Sequence, residues 1–172
     1  MALKDRLVSF GSALVRLEEA FEEWKRASEQ KTKAPALYRM ARDSLLLRLF
    51  LTTEQMWKTI QAALWELDGI DCGGSPKGCC RAFYTAGYVD ATVFKNIIDM
   101  IATRNVLVHI YKEEEAESMV HQIDRFLESA KTVLSVILER WREVQEIETH
   151  QKPQQDEPSK ISKRRTGTQQ TP

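Results

Sequence analysis

The sequence predicts an all-α protein, an up-and-down bundle of four long helices with one short helix inserted. Three observations predict it. Apolar residues recur at alternating spacings of three and four, the rhythm of one helical face. Glycine and proline gather in a few connections, where they end helices. No stretch alternates with the period of two that a half-buried strand needs.

The first stripe is Leu3, Leu7, Phe10, Leu14, Leu17, Phe21 and Trp24, with Glu18, Glu22, Glu23 and Lys25 off it. Polar residues from Ser28 to Lys33, then Pro35, mark the first turn. A second stripe follows in Leu46, Phe50, Thr53, Trp57, Ile60, Leu64 and Leu67, and stops at Asp68-Gly69. Leu45, Leu49, Met56 and Ala63 widen it, so this helix is expected to touch more than one neighbour. Asp68 to Gly78 holds four glycines and a proline but no phosphate-cradling pattern. Ser75-Pro76 reads as an N-cap and first helical residue, opening a short helix to about Ala86 with Gly87 as its left-handed cap. Asp90 caps the next helix, whose apolar face includes Phe94, Ile97, Ile98 and Ile101 and whose end carries residues 104–111. The last stripe runs Val120, Ile123, Leu127, Ala130, Leu134, Ile137, Trp141 and Val144, and fades near Ile147. Residues 1–149 are thus the predicted bundle. From 150 to 172 the chain is Gln, Pro, Lys and Thr with almost nothing apolar, which predicts a disordered tail.

The 25 basic and 25 acidic residues cancel. Beyond residue 150 there are five Lys/Arg and two acids, which leaves 20 basic and 23 acidic residues, net −3, in the bundle. Any anion site there must be a local patch, not bulk attraction. Lys163-Arg164-Arg165 in the tail reads first as solvated charge. No apolar run reaches membrane-span length and no signal-peptide core opens the chain, so the expected location is cytoplasmic. Cys72, Cys79 and Cys80 share one Gly-rich connection without paired C-x-x-C motifs, and are expected to be reduced thiols.

Arg104-Asn105-Val106-Leu107-Val108-His109-Ile110-Tyr111 places a cation, an amide, an imidazole and a phenol on one helical segment. Such groups are costly in a helix seam unless paired or exposed in a cleft. Arginine grips phosphate through its fork of donors, and histidine moves protons near neutral pH. Together they are the minimum equipment for cutting RNA, with no metal or other cofactor needed. A plainer reading stands beside this one: Arg104 pairs with an acid, and His109 is a hydrogen-bonded interhelical histidine.

At about 100° per residue, Asn105 and His109 lie within about 40° of each other, and Arg104 and Tyr111 within about 20°. Arg104 and His109 are about 140° apart, poorly placed to converge within one straight helix. A two-fold dimer with this helix at its axis brings two sets into one cleft. One His109 then takes the proton of a ribose 2′-hydroxyl while the other protonates the leaving 5′-oxygen. Arg104 holds the phosphate, and Asn105 orients a histidine or a phosphate oxygen. The acids Glu113, Glu114 and Glu115 read as the favourable start of a helix. His121 and His150 receive no role. Trp24, Trp57 and Trp141 read as packing residues, and Trp65, off the main stripe, as a dimer contact.

Arg104-Asn105-x-x-x-His109-x-Tyr111 resembles the R-x4-H-x-Y signature of the HEPN superfamily. Glu54-Gln55-Met56-Trp57-Lys58-Thr59 resembles the E-x-x-W-K-T segment of one branch, the nucleotidyltransferase substrate-binding protein family, which includes the HepT toxins. Ser75-Pro76-Lys77, Arg81-Ala82-Phe83 and Ala86-Gly87-Tyr88-Val89 are similar to its S-P-x…R-x-A-F-x-x-G-x-I connection. The resemblance spans about Arg42 to Ile123. Gly78-Cys79-Cys80 and Leu51-Thr52-Thr53 depart from the family pattern, and the tail has no counterpart. The resemblance implies a HEPN-like, usually dimeric helical protein encoded beside a minimal nucleotidyltransferase. It implies an RNase with Arg104 and His109 catalytic and Asn105 supporting. The partner, as antitoxin, neutralises it and can transfer adenylyl groups to Tyr111, adding an anion beside the phosphate site. Two further classes stay open: a non-catalytic subunit presenting a substrate to the nucleotidyltransferase, and an unrelated helical interaction module.

Overall fold

The structure is a computed structural model that describes residues 1–107 and 113–151. It contains α1 (Leu3–Ser28), α2 (Pro35–Asp68), α3 (Pro76–Thr85), α4 (Ala91–Leu107), α5 (Glu113–Val120) and α6 (Ile123–Gln151). The expected tail lies outside the described residues from 152 onward.

α1, α2, α4 and α6 form the up-and-down bundle, and α2 packs against every other helix. Its 34 residues span about 51 Å. The widening positions Leu45, Leu49, Met56 and Ala63 are fully buried, while Phe50, Trp57 and Leu67 from the expected stripe are only partly so. The buried face of α2 is therefore centred on the widening residues, because it must serve several neighbours at once. Phe10, Leu17, Phe83, Ile97, Met100 and Phe126 complete the centre of the core from the other helices.

Polar residues fix how the helices meet. The Thr52 and Thr59 hydroxyls donate across to the Ala13 and Arg6 carbonyls of α1, at 3.1 and 3.4 Å. α1 begins without a side-chain cap of its own, and the Leu3 amide donates instead to Glu66 of α2 at 2.9 Å. α2 ends at Gly69, whose φ of 67° lets Ile70 turn back and donate to the Leu64 carbonyl at 2.8 Å. Ser75 accepts from the Gly78 amide at 3.1 Å and Asp90 from the Val93 amide at 2.8 Å, the two predicted caps.

Two expectations need correction. The last stripe is not one helix: Val120 closes α5, and a turn with Gln122 donating to the Met119 carbonyl at 3.0 Å precedes α6. The turn keeps the apolar rhythm from Val120 through Ile123 to Leu127 in phase, so periodicity runs straight across it. There are accordingly two short helices, not one. The cysteines are not three free thiols either. Cys72 and Cys79 form a disulfide, and Cys80 is free and buried. The left-handed glycines Gly73 and Gly74 fold the connection back onto α3 and bring the two Cα atoms to 4.8 Å.

α5 is held on α2 by charge. Arg42 is only 5 % exposed, and its guanidinium reaches Asp43, Glu113 and Glu117 at 3.0 to 3.2 Å. Glu117 also accepts from Tyr38 at 2.6 Å and from Lys31 at 3.2 Å. The acidic start of α5 thus favours the helix dipole and also supplies the anchor.

Candidate functional site

Arg104 stands in the last turn of α4, against the middle of α2. One guanidinium nitrogen pairs with Glu54, and another donates to the Asn105 amide oxygen at 2.8 Å. Its carbon lies 5.4 Å from the centre of the Phe50 ring. The Nε is buried without a hydrogen-bond partner among the described residues. The side chain is 25 % exposed, so a cationic edge remains accessible.

Glu54 gathers three donors: Arg104, the Trp57 indole at 3.0 Å and the Lys58 ammonium at 3.2 Å. Burial pushes its carboxyl up, but the hydrogen bonds from Trp57 and Lys58 and the Arg104 charge outweigh this and hold it below the ordinary range. The spacing makes this possible, since positions i, i+3 and i+4 share one helical face. Glu54-x-x-Trp57-Lys58 and Arg104-Asn105 are therefore one constellation, built from segments 50 residues apart.

The structure brings Arg104 and Asn105 together, and it shows that Arg104 does pair with an acid. His109 and Tyr111 lie outside the described residues. Their described flanks are both tied to α2, Arg104 at Glu54 and Glu113 at Arg42. Sequence reading gave Glu54 no role; the i, i+3, i+4 set of acid, indole donor and cation was the available signal. His121 meets Trp24 edge-on with ring centres 6.3 Å apart.

The outer face of α2 carries a second feature. Leu37, Met40, Leu47 and Leu51 are all exposed at spacings of three, seven and four, with Ser44 between. Leu37, Met40 and Ser44 line a groove of about 400 Å³ whose far wall includes Ala27 and Arg26 of α1.

With this geometry in view, the comparisons with known proteins place the chain. It belongs to the family described as nucleotidyltransferase substrate binding protein like, whose model matches residues 5–139. No curated protein matches it. Among solved structures, it is similar to a protein from Thermus thermophilus at 26 % identity and a TM-score of 0.57, covering 70 % of this chain and 98 % of that one. A chain from a mutant of the toxin–antitoxin pair MntA–HpeT matches at 16 % identity and a TM-score of 0.62, covering 78 % of this chain and 95 % of that one. A chain from the complex of tri-AMPylated Shewanella oneidensis HEPN toxin with MNT antitoxin matches at 17 % identity and a TM-score of 0.60, with 78 % and 95 % covered. At those identities the likeness establishes the HEPN-like helical fold.

Among the described residues, no helix is long and apolar enough to cross a membrane.

Proposed function

We propose that this chain is the HEPN toxin of a nucleotidyltransferase/HEPN toxin–antitoxin pair, an endoribonuclease that needs no metal and works as a homodimer. The observation that carries the reading is Arg104, partly exposed and oriented by Glu54 and Asn105, at the head of an R-x4-H-x-Y motif. Arg104 binds the scissile phosphate with the donors that Glu54 leaves free. His109 of one copy removes the 2′-hydroxyl proton; the 2′-oxygen attacks phosphorus, and His109 of the other copy protonates the departing 5′-oxygen. A minimal nucleotidyltransferase partner neutralises the enzyme, and an adenylyl group on Tyr111 adds to the R-x4-H-x-Y motif an anion that repels RNA.

The α2 stripe supports the dimer. About Ser44, Leu37 and Leu51 lie seven residues to either side, and Met40 and Leu47 four before and three after. An antiparallel contact with its two-fold axis there sets each apolar side chain against another, as a self-complementary interface requires.

The test is cleavage of total cellular RNA in excess EDTA by purified protein, beside an Arg104→Ala/His109→Ala double variant. Cleavage by the wild type alone is the expected result. Equal cleavage by both refutes the assignment of the site. No cleavage by either, from folded dimer with unmodified Tyr111, supports the second reading that the family's description favours. In that reading the chain is a non-catalytic subunit presenting a substrate to the nucleotidyltransferase.

A further inference from the structure

Trp65 is the outlier among the four tryptophans. Trp24 stacks on Phe21, Trp57 donates to Glu54, and Trp141 packs on the core. Trp65 is 62 % exposed, and its indole has neither a ring partner nor a hydrogen bond among the described residues. It stands at the edge of a groove of about 400 Å³ formed by α1, α2 and the 70–72 connection. Arg6, Lys58 and Gln61 give that groove polar walls, and Ala62 and Ile70 an apolar one.

The charges in the groove are unevenly committed. Its two acids already accept backbone amides, Glu66 from Leu3 and Asp71 from Gly73, both at 2.9 Å. Arg6 has no ion pair among the described residues, and Lys58 is tied to Glu54 at 3.2 Å while staying about one third exposed. The side-chain acids Glu66 and Asp71 balance the side-chain bases Arg6 and Lys58, so a ligand is not gathered by side-chain charge alone. A flat, unpartnered indole with a free guanidinium nearby suits one chemistry well: an aromatic base linked to a phosphate.

The groove also leads to the site. Lys58 lies on its wall and shares Glu54 with Arg104. From Glu54 to Trp65 is eleven residues, about 16 Å along the helix axis. That is on the order of five stacked steps of 3.4 Å, and fewer if the bases unstack. Trp65 is also 21 residues from Ser44, about 31 Å from the proposed two-fold axis. Helices that cross at roughly 20° to 50° have splayed apart at that distance, so a second copy leaves the indole uncovered.

We propose that Trp65 is a stacking platform for a base of the single-stranded RNA whose phosphate sits at Arg104, with Arg6 holding a neighbouring phosphate. The proposal rests on the RNA-cleaving reading and adds a subsite to it. The sequence had suggested Trp65 as a dimer contact, and the test separates the two roles.

The experiment is fluorescence anisotropy of a labelled 2′-O-methyl decanucleotide at several salt concentrations, with oligomeric state followed by sedimentation velocity. The strand cannot be cleaved, because its nucleophilic hydroxyl is blocked. Trp65→Ala is expected to weaken binding roughly 5- to 150-fold with an unchanged salt slope, and Trp65→Phe to restore most of it. Arg6→Gln is expected to reduce the slope of log K against log salt by about 0.7, the loss of one phosphate contact on a single strand. Wild-type affinity in Trp65→Ala overturns the platform and leaves the RNase reading standing. A monomeric Trp65→Ala overturns it in favour of a subunit contact, and an unchanged slope in Arg6→Gln removes Arg6 from the subsite. No binding of the strand by the wild type overturns both the subsite and the RNA reading.

Discussion

Glu54 and Glu117 are single carboxylates that each bind several donors, and this makes their charge a source of stability. Glu54 faces Trp57, Lys58 and Arg104; Glu117 faces Tyr38, Lys31 and Arg42. In both, burial acts to raise the pKa and the hydrogen bonds overcome it, so the folded value lies below the ordinary 4.5. A carboxylate with a depressed folded pKa stabilises the fold fully above its unfolded value and loses that contribution as pH falls through the folded one. Urea denaturation from pH 7 to pH 3 should therefore show wild-type stability falling below about pH 5. A Glu54→Gln/Glu117→Gln variant should start about 1–2 kcal/mol lower at pH 7 and lose less over the same interval. Equal losses in the two proteins would refute this role. The residue scale is also where the sequence was least legible. Arg104 and Asn105 stood out because they share one short segment with an imidazole and a phenol, a set that is costly in a helix seam. That Arg104 would meet Glu54 was not legible, because the pairing depends on how α4 docks on α2 and not on spacing within either helix.

Among the elements, the long helices were legible wherever one face was buried, as the α1 stripe from Leu3 to Phe21 shows. So were the ends marked by a cap: Ser75, Asp90 and Gly69 each act through a local backbone bond. Legibility failed where a break leaves periodicity intact, as between α5 and α6, and where several neighbours share one helix, as on α2. It failed again at the cysteines, since two positive-φ glycines rather than any cysteine motif bring Cys72 to Cys79. The resulting arrangement has a countable consequence. Cys80 is fully buried, and burial pushes its thiol up to about 12, far from the reactive thiolate form at neutral pH. A thiol reagent at pH 7.5 should find no reactive group in native protein, one after denaturation without reductant, and three after reduction. Three thiols in denatured, unreduced protein would show that Cys72 and Cys79 are not joined.

At the scale of the whole molecule, a helix that already packs against five others still exposes a row of large apolar side chains. Leu37, Met40, Leu47 and Leu51 stay partly open to solvent among the described residues, and that contact is a standing cost. Their near-symmetry about Ser44 fits a two-fold partner, and the groove beside Leu37 and Met40 offers room for the opposing leucines. Leu47→Glu/Leu51→Glu should therefore separate the copies. Each carboxylate would have to enter an apolar contact, at a cost of several kcal/mol per interface, more than about 100-fold in the dissociation constant. The helical circular dichroism should not change, because both side chains already face solvent within one chain. Sedimentation velocity should report a dimer for the wild type and a monomer for the variant. RNA cleavage should fall with the dimer, since the proposed reaction draws one His109 from each copy. A variant that sediments with the wild type would move the interface off α2. A monomer that still cleaves would place the whole reaction within one chain.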